Sequence, residues 1–218
     1  MLSLGILAES VDGILTGERE LMMSALLTTN STISEVKHLT MAELEAGLDQ
    51  IRQSPKEAGV LQLIVRRPRV EEREVLHEAQ LSLTEGLVGD CWSTRGSSST
   101  PDGSANPDMQ INIMNSRTVA LVAQHKDRWP LAGDQLYLDL DLRVANLPVG
   151  TLLALGSAVL EVTPPPHTGC VKFVARFGVE AMKFVNSPIG RQLNLRGINA
   201  RVVQSGGIRI GDVATKIH

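Results

Sequence analysis

The run Thr163-Pro164-Pro165-Pro166-His167-Thr168-Gly169-Cys170-Val171-Lys172-Phe173 concentrates the reactive side chains of this chain. A strand ending at Thr163 is followed by three prolines that fix the direction in which the backbone leaves it. Thr168 then suits an N-cap, which places Cys170 in the first turn of the following helix. Free N–H groups and the helix dipole favour a thiolate there, and Lys172 adds positive charge. Such a thiolate can attack an electrophile, carry sulfane sulfur or ligate a soft metal. A buried structural cysteine is the competing reading, since cysteine is among the most often buried residue types. His167 is a ligand, a base or a plain loop residue, and without a second histidine nearby it does not make a zinc site. Cys91, between Asp90 and Trp92, reads as an inert half-buried thiol, and His38, His77, His125 and His218 are scattered. No G-x-S-x-G elbow, dinucleotide fingerprint or P-loop occurs.

The chain has 218 residues, 43% apolar and 21% charged, enough for one medium domain with a real core. Only 3% are aromatic, which leaves the core to Leu, Ile, Val and Ala and argues against a base-stacking surface. A net charge of −3 gives no global attraction to nucleic acid or an anionic membrane. No apolar run reaches the ~18 residues of a spanning helix, and the N-terminus lacks a basic leader segment. A cytoplasmic protein with both thiols reduced is expected.

The elements that must position Cys170 follow from periodicity. Residues 1–57 read as an N-terminal extension with a linker at 28–32, and Met22, Met23 and Met41 are alternative starts. Thr40-Met41-Ala42-Glu43 is a capping box that opens a helix over about 40–53. Residues 58–218 form the main domain. Strands are expected at 60–65, 74–83, 109–114, 136–143, 152–155, 158–163, 198–204 and 208–210, with Gly156-Ser157 as a hairpin turn. Helices are expected from Asn115 or Ser116 to Trp129, stopped by Pro130, and over 169–185, broken at Gly178. The polar loop 93–108 either closes over a ligand or merely connects. Many short strands with few helices predict a mainly β (α+β) fold, an antiparallel barrel with helices packed at its ends.

The stretch from Leu147-Pro148-Val149-Gly150 to Val162-Thr163-Pro164, followed by His167-Thr168-Gly169-Cys170-Val171-Lys172-Phe173, resembles the MOSC domain, named for the C-terminal domain of molybdenum cofactor sulfurase. Gly86-Leu87-Val88-Gly89-Asp90, Met114-Asn115-Ser116-Arg117, Leu195-Arg196-Gly197-Ile198 and the closing run from Gly206 to Asp212 match in the same order. The similarity spans about residues 60–217. It implies a barrel like the β-domain of pyruvate kinase and a cysteine, here Cys170, that ligates the molybdenum of a pterin cofactor, molybdopterin. The implied activity is reduction of N-hydroxylated compounds such as amidoximes, with electrons from a separate protein. Other members were proposed to carry sulfur as a persulfide on the same cysteine, so a sulfur carrier or cofactor-binding module served by a sulfur-donor protein is the alternative. The chain has no ferredoxin-like cysteine cluster, and no pyridoxal-phosphate lysine is expected in it. For the anionic pterin phosphate the basic candidates are Arg117, Lys172, Arg196 and Arg95, with Thr168 and His167 beside the cysteine. Asp134 and Asn115 are candidates for the pterin N–H groups.

Overall fold

Apolar residues alternate along most strands, so each strand can bury one face inside a closed sheet and the other beneath helices. The computed structural model describes residues 37–97 and 100–217, and the expectations for residues 1–36 lie outside them. Its strands are β1 (Ala58–Arg66), β2 (Glu74–Leu76), β3 (Glu78–Ser82), β4 (Gly86–Leu87), β5 (Ile111–Asn115), β6 (Leu136–Asp139), β7 (Leu152–Leu155), β8 (Ala158–Val162), β9 (Ile198–Gln204), β10 (Gly206–Arg209) and β11 (Val213–Ile217). Strands β1, β6, β5, β9, β8, β7 and β11 pair in that order, and β11 returns to β1, closing a seven-stranded barrel. β2 adds to β1 outside the ring, and β10, β3 and β4 form a second small sheet. The mainly β barrel with a few packed helices is therefore the fold.

One pair departs from the antiparallel expectation. β5 and β6 run parallel, which demands a crossover. Helix α4 (Ser116–Ala123) and the 3₁₀ turn Lys126–Ala132 supply it. The helix expected to reach Trp129 stops instead at Ala123, where Gln124 turns left-handed at φ 63°. Pro130 sits inside the 3₁₀ turn rather than ending a long helix. The helix expected over 40–53 divides at Gly47 into α1 (Met41–Ala46) and α2 (Leu48–Arg52), and its capping box forms. The loop 93–108 carries the short helix α3 (Trp92–Arg95) and a 3₁₀ turn at Pro107–Met109. The strand expected over 74–83 breaks at His77 into β2 and β3. Helix α5 (Val171–Asn186) has its expected kink at Gly178, and α6 (Pro188–Gln192) follows.

The barrel encloses an aliphatic core that includes Leu61, Ile64, Ile111, Ile113, Leu136, Leu138, Leu160 and Ala200. A second core lies between the outer face of β1, β5 and β6 and the helices, and it holds Trp129, Tyr137, Phe173, Phe177 and Phe184. A bulge between Leu61 and Leu63 lets β1 feed both cores. Tyr137, which alternates with Leu136 and Leu138 and so points away from the barrel interior, is fully buried because the crossover covers it, and its hydroxyl donates to Trp129 O at 2.9 Å. The absence of rings from the inner core is what the composition anticipates; the few rings are spent on the helical side.

Candidate functional site

Three consecutive carbonyls at the end of the β5–β6 crossover organise a cluster of arginines. Leu131 O accepts from Arg176 Nη1 at 2.8 Å, Ala132 O from Arg196 Nη2 at 2.9 Å, and Gly133 O from Arg67 Nη1 at 2.9 Å. The donors come from α5, from the turn before β9 and from the residue after β1. Gly133 has φ 90°, and a Cβ there would stand 3.6 Å from Arg73 Nη2 and 3.7 Å from Arg176 Nη1. Those are ordinary contacts, so it is the left-handed backbone rather than a lack of space that calls for glycine.

Two of these arginines also hold buried carboxylates. Arg67 donates from Nε and its backbone N–H to Asp90 Oδ2 and from Nη2 to Asp90 Oδ1, each at 2.9 Å. Arg196 Nη1 donates to both oxygens of Asp134, at 2.9 and 2.7 Å, while its guanidinium stands 5.1 Å from the centre of the Phe173 ring. Burial pushes the Asp134 carboxyl up, with Arg196 pulling in the opposite direction. Gly197, next along, follows from the same packing. Its backbone, at φ 108°, runs so close to Ile113 O and His167 Nδ1 that a Cβ would lie 2.3 and 3.3 Å from them.

These groups wall a cleft of about 250 Å³ that Cys170 and Cys91 both line. Seven of its lining side chains are basic (Arg67, Arg69, Arg73, Arg95, Lys172, Arg176 and Arg196) and one, Glu71, is acidic. Cys170 is exposed, so the alternative of a buried structural thiol is overturned. Thr168 is not the cap of α5. Cys170 itself is the N-cap residue, with φ −122° and ψ −179°, and makes no side-chain capping bond. The preceding segment is pinned outside the helix: Asn199 Nδ2 donates to Pro165 O at 2.9 Å, and Asn186 bonds the N–H and the carbonyl of Gly169 at 2.9 and 3.0 Å. Helical geometry therefore begins only at Val171.

His167 forms a wall between this cleft and a second, more apolar pocket of about 350 Å³, lined in part by Val144, Leu147, Val149, Pro165 and Ile198. Its Nδ1 lies 3.3 Å from Asp134 Oδ1 and has no hydrogen-bond partner. Burial, reinforced by the charges of Arg196 and Arg67, holds the imidazole well below its ordinary range, so it is neutral. The unfolded chain takes up this proton near the ordinary pKa of about 6.5 while the folded chain does not. Stability is therefore lost as pH falls below about 6.5, by up to about 1.4 kcal/mol per pH unit, until the folded imidazole also protonates. Urea unfolding at about pH 7 and about pH 5 should show this slope in the native protein and a shallower one in His167→Gln. Equal slopes would remove His167 as its source.

Among the residues singled out from sequence, the fold brings Lys172, Arg196, His167 and Arg95 to the cleft with Cys170. Thr168 lines the second pocket instead. Arg117 is not brought there: its guanidinium is committed to Asp139 at 2.7 and 3.2 Å and to Gln50 O at 2.9 Å. Asn115 is spent as the cap of α4, accepting from Arg117 N and Thr118 N and donating to Ser54 Oγ and Leu140 O. Asp134 is fully buried and reaches the cleft only through Arg196 and His167. Arg67, Arg69, Arg73, Arg176 and Cys91 are additions from the structure. A sequence signal exists for Arg176, four residues after Lys172 on one helix face; Arg67, just past the strand expected over 60–65, carries none.

No family profile matches this sequence, and no curated protein matches it. Among solved structures, the YuaD protein from Bacillus subtilis aligns with a TM-score of 0.49 and 17% identity, over 72% of this chain and 96% of that one. YiiM from Escherichia coli aligns with a TM-score of 0.48 and 17% identity, over 73% and 70% of the two chains. YiiM from Geobacillus stearothermophilus aligns at 0.45 and 14%, over 73% of each. Among the described residues, no helix is long and apolar enough to cross a membrane.

Proposed function

We propose that this protein binds a molybdenum pterin cofactor in the Cys170 cleft, with the Cys170 thiolate as the metal's protein ligand, and serves in reducing N-hydroxylated compounds alongside a separate electron-supplying protein. The observation that carries this reading is an exposed thiol opening on a cleft with seven basic side chains and one carboxylate. The residues present fit such a group. Thiolate is a soft ligand suited to this class of metal. Among the described residues no three His, Cys, Asp or Glu side chains gather around a metal position, so a metal here would be held by Cys170 and by ligands that the cofactor brings. Arg73 Nε, Arg196 Nε and His167 Nδ1 are buried without partners. Lys172, Arg73 and Arg176 would take the anionic phosphate, and Arg196 and neutral His167 would border the reacting end near Cys170. When bound, the cofactor supplies a two-electron redox centre.

Expression in a host that makes the cofactor, followed by metal analysis, tests the reading. Native protein should carry up to roughly one molybdenum per chain and Cys170→Ala almost none, since the thiolate is the bond to the metal. Metal-free native protein, or equal loading of both, would sink it.

A further inference from the structure

The one acidic side chain of the cleft stands in an unusual position. Glu71 lies at the tip of the turn between β1 and β2, closed by Glu72 N donating to Arg69 O at 3.1 Å. Its backbone is left-handed, φ 66°, a conformation that costs an L-residue without a short polar side chain. From there its Oε1 accepts from Lys172 Nζ at 2.6 Å and its Oε2 from Arg176 Nη2 at 2.5 Å. Lys172 and Arg176 are four residues apart on α5 and present one face.

The Glu71–Lys172 half of this arrangement is a weak structural tie, while the Arg176 side chain is 16% exposed. The Glu71 and Lys172 side chains are 57% and 59% exposed, and exposed ion pairs contribute little to stability. Neighbouring Val70 is 65% exposed, so packing does not hold the tip of the turn in place. Nor does Glu71 satisfy the cleft's charge. Arg73 has no carboxylate partner among the described residues, and its Nη2 and Arg176 Nη1 both lie within 4 Å of one point beside Gly133. Burial and the nearby charges of Arg176 and Arg67 lower Arg73's hold on its proton. Two guanidinium ends thus stand near one another, and of the two only Arg176 is paired with Glu71.

We propose that Lys172, Arg176 and Arg73 form a subsite for a phosphate-class dianion, and that Glu71 is an internal stand-in for it, displaced as the turn releases. The proposal deepens the reading of the cleft as the site of an anionic cofactor. A carboxylate offers one charge and two oxygens, whereas a phosphate brings up to two charges and three free oxygens, enough to engage all three cations.

Titration calorimetry of the metal-free full chain with inorganic phosphate tests this without reference to molybdenum. Glu71→Gln, which keeps shape and removes the competing charge, should bind phosphate about fivefold more tightly than native protein, the size of an exposed ion pair. Arg73→Gln added to it should abolish the gain. Unchanged or weaker binding in Glu71→Gln, or a gain that survives loss of Arg73, would overturn the proposal. A phosphate gain in a protein that takes up no molybdenum keeps the subsite and discards the cofactor; molybdenum loading without the gain does the reverse.

Discussion

Asp134→Ala should destabilise the protein by about 3–5 kcal/mol, the usual cost of leaving one partner of a buried ion pair alone. Asp134 is fully buried and Arg196 is 92% buried at its side chain, so water cannot replace the lost carboxylate. Arg196 would keep only the Ala132 carbonyl and the Phe173 ring. Replacing both partners, Asp134→Leu with Arg196→Met, should recover most of the loss, because an apolar pair avoids the desolvation of two charges. Equilibrium unfolding in urea measures both. A loss below about 1 kcal/mol in the single variant would mean that the pair does not anchor this wall. A double variant as unstable as the single one would mean that the charge itself is required by the fold.

Phe173→Ala is expected to cost about 3–5 kcal/mol as well, by a different route. The ring is 2% exposed, lies 4.9 Å from the Phe177 ring centre and supports the Arg196 guanidinium from below. It stands three residues after Cys170, so it fastens the start of α5 to the outer face of the barrel. Its loss opens a cavity in the second core and frees the arginine above it. Phe173→Leu refills much of the volume and should cost less than about 1.5 kcal/mol. Chemical denaturation of both variants separates packing from any special need for a ring. Equal costs would assign the effect to the aromatic face, and a small cost in both would show that the helix start is held elsewhere.

The barrel was legible in the chain because its strands alternate and its turns carry glycine, as in Leu136, Leu138, Leu140 and Leu142 and in Gly156. The parallel pairing of β5 and β6 was not, since strand periodicity says nothing about which neighbour a strand chooses. Cys170 was legible as a functional candidate through its prolines and the helix after it, but the register of that helix was misread by two residues. Thr168 has the right chemistry for a cap; long-range bonds from Asn186 and Asn199 decided otherwise, and no local pattern announces them. Arg117 illustrates the converse. Its charge recommended it, yet it lies where Asp139 and Gln50 consume it. Arg67 and Arg73 sit more than ninety residues from Cys170 along the chain, and only closure of the barrel and the crossover brings them beside it.

The carbonyls of Leu131, Ala132 and Gly133 do not titrate. Each gives its arginine a bond that lasts as long as the backbone remains folded, beside the carboxylate the same arginine also pairs with: Asp90 for Arg67, Asp134 for Arg196 and Glu71 for Arg176. The aim of the three guanidiniums is thus held from two sides, by a peptide oxygen and by a carboxylate. An anion entering the cleft therefore meets cations whose direction is already set, and little ordering of side chains is left for its binding to do.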